Sequence, residues 1–320
     1  MLQGTFRAAA RFISAVNQSR AKLVLDPIYY AVASSLVRDS TPCSRRLLEK
    51  DLRENLYLRY RTQSRKLDYW IEDWDFAKAR PELLTERQRA MMHTVALGET
   101  SGAAVAASFL KAFRTNPELA AFFGTWFVEE LNHFLGYHLY LDRMGEGWPI
   151  DKARDIAAVE FLDYASDPRE VAACNMYQEL VGYLVYRSFG KQARDPFLAE
   201  MLTQFAKDEL RHYKFYQDVV AREIQRDPTF RKSVLKVFLK ATSPINQVCD
   251  GPLDFLVHLK RGVFWFRKPE LDFFLDQVEY LLGTRLESFF QWVFKGHAPP
   301  CETCAKELYL CECEVFEPNA

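Results

Sequence analysis

Two short stretches of the chain each place a glutamate three residues before a histidine, Glu130 with His133 and Glu209 with His212. Positions i and i+3 lie on one face of a helix, so each pair can offer a carboxylate oxygen and an imidazole nitrogen to a common point. Two such pairs, with one inward glutamate from each of two further helices, make the ligand set of a di-iron or di-manganese centre in a four-helix bundle.

Glu99 and Glu179 are the candidates for the two further carboxylates, because each lies in a stretch of small and apolar residues that predicts a core-facing position. A buried, unpaired carboxylate is strongly unfavourable, so four of them in one core require cations. Mixed oxygen and nitrogen ligation suits iron or manganese better than a thiolate-binding metal. One isolated E-x-x-H is more often a solvated helix face, but two in register with two lone glutamates are not expected by chance.

Two further residues are predicted to support the ligands. A metal-binding imidazole normally donates its second N–H to a carboxylate, and Asp208 could accept that proton from His133 across the bundle. Trp126, one turn before Glu130, is predicted to line the same wall. Ordinary packing and surface charge are the alternative for both residues.

Helical periodicity dominates the sequence, and the motifs fall on four long predicted helices near 83–114, 116–144, 167–190 and 195–225. Asp-Pro pairs open the last two, with Asp as the N-cap and Pro at the first helical position. A helix with a lone glutamate precedes an E-x-x-H helix, twice. The predicted fold class is therefore all-α, a ferritin-like four-helix bundle with flanking helices and a short cysteine-rich C-terminal tail.

Composition narrows the class of protein. The 320 residues are 49% hydrophobic and 14% aromatic, enough for a sizeable core, and 42 basic residues balance 43 acidic ones. That balance provides no overall field to attract nucleic acid. Since no apolar run approaches the roughly 18 to 20 residues that cross a bilayer, no membrane span is expected.

We expect a basic N-terminal segment at 1–25, a di-iron helical domain at 26–296 and a cysteine-rich tail at 297–320. Only basic charges precede the first acidic residue, Asp26, a pattern shared by organelle transit peptides and by basic surface helices. The surface helix is the preferred interpretation. With no secretory signal recognised, the predicted location is cytoplasmic, and organelle targeting is the alternative.

The tail contains four closely spaced cysteines, Cys301, Cys304, Cys311 and Cys313. Their spacing is compatible with a four-thiolate zinc site. A redox dithiol pair, an Fe–S cluster and free thiols stay open as alternatives, because the tight C-x-C is less usual than a second C-x2-C.

At these positions the chain resembles the ferritin-like di-iron carboxylate superfamily, and within it most closely the soluble acyl-carrier-protein desaturases. The motifs are W-x-x-E-E-x-x-H at 126–133 and D-E-x-R-H at 208–212, and the similarity spans about 85–225. The resemblance implies that Glu130 and Glu209 bridge two metals. Glu99 with His133 would then complete one metal site, and Glu179 with His212 the other.

Two positions depart from related proteins. Gly182 stands where that family commonly has a Thr, which leaves hydroxylation or another oxidation open beside desaturation. The N-oxygenating branch has a third histidine where this chain has Phe205, which argues against that branch.

The resemblance implies an O2-dependent oxidase with two iron ions, or manganese, that acts on an unactivated C–H bond of an acyl chain. Electrons would come from an external ferredoxin or reductase, because no flavin or nicotinamide fingerprint is apparent. An acyl carrier protein and a second copy of the chain are the further expected partners. The alternatives are a hydroxylase or N-oxygenase of a small or carrier-bound metabolite, and a ferroxidase or iron-handling protein.

Overall fold

The structure is a computed structural model, and it describes residues 55–64, 69–100, 102–146, 167–242, 267–285, 304–306 and 310. Two compact units divide the chain at Arg59/Tyr60, and nearly all described residues lie in the second. The N-terminal segment 1–25 and, apart from 304–306 and 310, the tail at 297–320 lie outside the described residues. The predicted domain limits therefore stay a prediction.

Helices account for the described elements. They are α1 (Leu56–Ser64), α2 (Glu86–Glu99), α3 (Gly102–Phe113), α4 (Pro117–Arg143), α5 (Pro168–Gln192), α6 (Pro196–Arg226), α7 (Phe230–Thr242) and α8 (Lys268–Leu282), with short 3-10 turns at Ile71–Asp73, Phe76–Lys78 and Pro81–Leu83. The described ranges contain no strand. This confirms the predicted all-α class. None of the helices in these ranges combines the length and apolar character needed to cross a membrane.

The three longest helices begin as the sequence predicts, with a capping side chain followed by proline. Asp167 and Asp195 accept hydrogen bonds from the backbone N–H groups two residues ahead, and Asn116 does the same at the start of α4. Each proline then occupies a position whose N–H would have no partner within the helix. The start of each motif-bearing helix is therefore fixed locally.

The first predicted long helix, 83–114, was wrong in one respect, because it is divided into α2 and α3 directly after Glu99. At the end of α2 the Thr100 hydroxyl donates to the backbone carbonyls of Leu97 and Ala96. Such a local side-chain bond competes with the helical pattern. The break leaves Glu99 in the last turn of α2.

The bundle is built from helix pairs. α5 and α6 pack along each other and are joined by the short turn at 193–195, while α2 and α3 both pack against α4, which in turn contacts α6. The core between them is dense in aromatic and apolar side chains. Buried Asp195 adds a polar anchor, since it also accepts from the Arg80 backbone N–H at 2.9 Å and the Tyr140 hydroxyl at 2.6 Å.

Candidate metal centre

Six side chains from α2, α4, α5 and α6 converge inside the bundle. They form two overlapping sets, Glu99, Glu130, His133 and Glu209 in one and Glu130, Glu179, Glu209 and His212 in the other, and within each set the potential ligand atoms lie within 4.8 Å of one another. Glu130 and Glu209 belong to both sets. The structure thus brings together all six residues that the sequence predicts as ligands.

His133 directs its Nδ1 atom to the first set. That nitrogen lies 3.3 Å from Glu209 Oε1, 3.4 Å from Glu130 Oε2 and 3.9 Å from Glu99 Oε2. The imidazole is fully buried, and only 10% of the Glu99 side chain is exposed. Three carboxylates and one imidazole therefore face a common point.

His212 occupies the matching place in the second set. Its Nδ1 lies 3.1 Å from Glu130 Oε1, 3.2 Å from Glu179 Oε2 and 4.0 Å from Glu209 Oε2. The ring centroids of His133 and His212 are 6.4 Å apart. Since different oxygens of Glu130 face the two histidines, as do those of Glu209, each carboxylate is placed to span two cations.

The donor set fits two divalent metal ions on physical grounds. Among the described residues, none offers a hydrogen bond to the buried atoms His133 Nδ1 and Glu130 Oε1, although both point into the cluster. Buried polar atoms normally have partners, so an unpaired nitrogen in the first set and an unpaired carboxylate oxygen that faces His212 in the second call for cations at these places. The buried carboxylate and histidine cluster thus supports a two-metal centre.

The two predicted supporting residues both contact the centre. The Nε2 atom of His133 lies 3.3 Å from Asp208 Oδ2, on the side of the ring away from the cluster. The Trp126 indole N–H donates to Glu179 Oε1 at 3.0 Å, so Trp126 does more than line the wall. Both residues are almost completely buried.

Glu129 is a site residue that the sequence reasoning missed. Its Oε2 lies 2.7 Å from Nε2 of His212, and it also accepts from the Tyr60 hydroxyl. A sequence signal was present, because an acidic residue directly precedes the glutamate of each E-x-x-H motif. These residues are Glu129 before Glu130 and Asp208 before Glu209. The two-fold pattern of the ligands thus extends to the groups that hold the histidines.

Arg211 joins these two supporting carboxylates. Its Nη1 lies 2.5 Å from Asp208 Oδ1, and its Nη2 lies 3.4 Å from Glu129 Oε1. The Arg211 side chain is 9% exposed. One buried cation therefore balances both carboxylates that accept from His133 and His212, a role that a planar guanidinium suits because its N–H groups diverge.

Tyrosines surround the first set. The Tyr186 hydroxyl donates to Glu99 Oε1. The Tyr137 hydroxyl is buried and has no hydrogen-bond partner among the described residues, while burial and then the charge of Glu99 raise the pKa of the phenol. Tyr137 follows His133 by four residues and was expected on the same face of α4. Tyr186 was not predicted, because it reaches the site through the pairing of helices rather than through a motif.

The carboxylates respond differently to burial. Burial, reinforced by the nearby charge of Glu130, raises the pKa of Glu99 well above its ordinary value, and burial with Glu130 and Glu179 does the same to the pKa of Glu209. Burial alone would also raise the pKa of Glu130, but His133 and His212 outweigh it and lower that pKa. The metal-free centre thus keeps one shared carboxylate charged and the other protonated to higher pH.

Both imidazoles hold protons strongly when no metal is bound. Burial would lower the pKa of His133, yet Glu130 and Asp208 raise it well above the ordinary value. For His212, Tyr60 and Glu179 likewise outweigh burial. A divalent cation would replace these protons, since it supplies the positive charge that the carboxylates require.

An aromatic shell encloses the polar centre. Phe205 packs on His133 with ring centroids 4.4 Å apart, and Phe122 stacks on Phe215 at 3.7 Å on the His212 side. Phe123 and Tyr216 are also fully buried, whereas Phe127, Phe134 and Tyr183 are half-buried. The centre is therefore surrounded by apolar groups that limit access of water.

Two remaining predictions concern Gly182 and the tail. Gly182 lies against the Glu209 carboxylate, where an added Cβ would come within 3.0 Å of it. In the tail Cys304 is exposed, while Cys301, Cys311 and Cys313 lie outside the described residues. Zinc binding by these cysteines stays a prediction.

Comparison with known proteins gives a family-model match over part of the chain and solved structures of similar fold. Residues 150–254, about a third of the chain, match a family model described as fatty acid desaturase. R2-like ligand-binding oxidase from Sulfolobus acidocaldarius is 16% identical, with a TM-score of 0.50 over 73% of this chain and 93% of that one. A variant of R2-like ligand-binding oxidase with an aerobically reconstituted Mn/Fe cofactor is 17% identical, with a TM-score of 0.51 over 73% and 94%. No curated protein matches the sequence significantly.

These comparisons, with the site, define the class. The structural likeness confirms the predicted ferritin-like fold, at an identity too low to carry more than the fold. The desaturase match covers the α5 and α6 half of the bundle, with Glu179, Glu209 and His212. Together with the carboxylate and histidine cluster, it confirms the predicted resemblance and places the protein among the non-haem di-iron oxidoreductases.

Proposed function

We propose that the protein is a di-iron, O2-dependent oxidase that acts on an unactivated C–H bond of an acyl chain. The observation that carries the proposal is that Glu130 and Glu209 belong to both ligand sets. They would bridge two metals, while Glu99 with His133 completes one metal site and Glu179 with His212 the other.

Iron is the proposed metal at both positions. Four carboxylates and two imidazoles, without a thiolate, suit iron or manganese. One structural neighbour carries a Mn/Fe cofactor, which supports manganese in one position as the variant form. Glu130 and Glu209, which belong to both sets, would bind either two iron ions or one manganese and one iron ion.

The chain's own contribution is to position and protect the metals. When bound, the iron pair supplies the activation of O2, a chemistry that no amino-acid side chain performs alone. Asp208 and Glu129 hold the outer nitrogens of His133 and His212, so that both Nδ1 atoms stay directed to the metals. The aromatic shell excludes water that would otherwise compete for the oxidant.

The proposed substrate is an acyl chain, supported by the desaturase family match and by the apolar, aromatic surroundings of the centre. Desaturation removes two hydrogens from the chain, consumes O2 with two further electrons and two protons, and forms two waters. Hydroxylation uses the same electrons and protons but leaves one oxygen atom in the product. An external ferredoxin or reductase would supply the electrons, an acyl carrier protein would present the substrate, and a homodimer is the expected assembly.

Hydroxylation is the second candidate, and Gly182 favours it. At the position beside Glu209 this residue has no hydroxyl group that could donate a proton within the centre. N-oxygenation is less well supported, because the place of a third histidine is taken by Phe205, which packs on His133. A ferroxidase would oxidise iron without forming an organic product.

The test is to load the protein with Fe²⁺ without oxygen, add acyl thioesters, a reductant and oxygen-18 gas, and analyse products by mass spectrometry. A product lighter by two hydrogens indicates desaturation, and one that retains an oxygen-18 atom indicates hydroxylation. Glu99→Gln should lose activity and iron, whereas Glu86→Gln, exposed at the start of the same helix, should retain both. Iron oxidation with every acyl thioester unchanged would contradict the proposal.

A further inference from the structure

Gly182 lies close to Glu209, a proposed metal ligand, and its lack of a side chain leaves room for the Glu209 carboxylate. A Cβ atom at this position would lie 3.0 Å from both Cδ and Oε2 of Glu209 and 3.4 Å from its Oε1. A separation of 3.0 Å is unusually short for a Cβ atom, so the Glu209 carboxylate would have to move by a few tenths of an ångström to accommodate it. The Glu209 carboxylate therefore occupies space that the side chain of any other amino acid at position 182 would fill.

The backbone does not explain this glycine. Gly182 lies in the middle of α5, and the described glycines with positive φ are Gly145 and Gly283. In a helix interior glycine is less favourable than alanine, because it loses more conformational freedom on folding. The reason for glycine here therefore lies in what it faces.

Other glycines near the centre show what an ordinary separation would be. An added Cβ at Gly102, which follows Glu99 by three residues as Gly182 follows Glu179, would meet the Glu130 Cβ at an ordinary 3.5 Å. At Gly124 on α4 it would meet nothing within 4 Å. Gly182 is the described glycine whose Cβ would press on a ligand carboxylate.

We infer that Gly182 is a positioning residue, which lets Glu209 lean toward α5 and so sets how this carboxylate divides its oxygens between the two metals. The inference rests on the proposed two-metal centre. Glu209 Oε1 lies 3.3 Å from His133 Nδ1, and Oε2 lies 4.0 Å from His212 Nδ1. The atoms closest to the missing Cβ include Oε2, so a side chain here would displace the carboxylate chiefly at the metal held by His212.

The experiment loads the full-length protein with Co²⁺, whose visible absorption and circular dichroism report ligand geometry, and titrates it against a chelator. Gly182→Ala should change the spectrum and lower the affinity for one of the two Co²⁺ ions by about tenfold. Gly124→Ala is the matched control on a ligand helix and should give the wild-type spectrum and affinities.

A second substitution separates positioning from packing. Glu209→Asp shortens the ligand by one methylene group and withdraws its carboxylate from the new Cβ. The double variant Gly182→Ala/Glu209→Asp should therefore recover part of the Co²⁺ spectrum and affinity lost in Gly182→Ala. If Gly182→Ala does not fold while the double variant does, the contact with Glu209 is again supported.

Three results would overturn the inference. The first is a Gly182→Ala protein with the wild-type Co²⁺ spectrum and both affinities. The second is a spectral change, or a failure to fold, that Glu209→Asp does not relieve, since that assigns the glycine to helix packing. The third is a wild-type protein that binds no pair of Co²⁺ ions, which removes the proposed function itself and is recognised before any variant is made.

Discussion

Glu129 Oε2 lies 2.7 Å from Nε2 of His212, on the side of the imidazole that faces away from the ligand cluster. Asp208 holds the same relation to His133 at 3.3 Å. In each E-x-x-H helix, the acidic residue directly before the ligand glutamate thus fixes the histidine of the opposite helix.

Replacing Glu129 with Gln should weaken metal binding at the His212 position by about tenfold, because a neutral amide no longer raises the basicity of the imidazole. Competition between a fluorescent chelator and the protein for Co²⁺ measures the change. Glu200→Gln, exposed on α6, is the control and should bind as the wild type does. Equal affinities for the wild type and Glu129→Gln would show that this contact does not orient His212.

Arg211→Gln should lower the free energy of unfolding of the metal-free protein by about 3 kcal/mol, because it leaves Asp208 and Glu129 as buried carboxylates without their cation. Denaturant unfolding measures the loss. Arg226→Gln removes an exposed arginine that pairs with Glu223 on the same helix, and such pairs contribute little. A similar, small effect of both substitutions would contradict the role assigned to Arg211.

Metal binding should release protons, since burial and neighbouring charges raise the pKa values of Glu99 and Glu209, and nearby acidic groups raise those of His133 and His212. These groups bind a cation only after losing the protons they hold. Calorimetric titration with Co²⁺ in two buffers of different ionisation enthalpy counts the protons. Heats that do not depend on the buffer would show that the metal-free centre is already deprotonated.

The metal-free protein should lose stability as the pH rises above about 6.5, the ordinary histidine value, because the pKa values of His133 and His212 are raised above it. A raised histidine pKa stabilises the folded state below the unfolded value, and that stability disappears as the pH passes through the folded value. The raised pKa values of Glu99 and Glu209 act in the same direction, because the folded state again binds more protons than the unfolded one. The lowered pKa of Asp208 favours the folded state throughout this window and is lost only in acid.

Melting temperatures with and without a chelator test the sign of this dependence. With chelator, the melting temperature should fall over that pH range. With bound Co²⁺ it should not, because the metal has replaced the protons. A melting temperature that rises with pH in the presence of chelator would contradict the pKa directions.

The sequence was sufficient to predict the two glutamate and histidine pairs, because i and i+3 spacing is a local property of a helix. Glu130 with His133 and Glu209 with His212 needed no knowledge of tertiary structure. Capped starts, such as Asp195 before Pro196, were local as well.

Other parts of the site depend on packing across the bundle. Tyr60 and Tyr186 reach the centre because of helix rotation and pairing, which periodicity does not determine. The contact of Arg211 with Glu129 on α4 depends on the same pairing. The break after Glu99 depends on a hydroxyl bonding to its own helix at Thr100. Glu129 could have been predicted from the sequence, because an acidic residue directly precedes the glutamate of each E-x-x-H motif.

The most direct measurement is Mössbauer spectroscopy of the protein loaded with Fe²⁺ without oxygen and then exposed to O2, together with its iron content. Two irons per chain that couple to a diamagnetic ground state are expected, because Glu130 and Glu209 are placed to bridge them. One iron per chain, or two that behave as isolated high-spin ions, would contradict a shared two-metal centre.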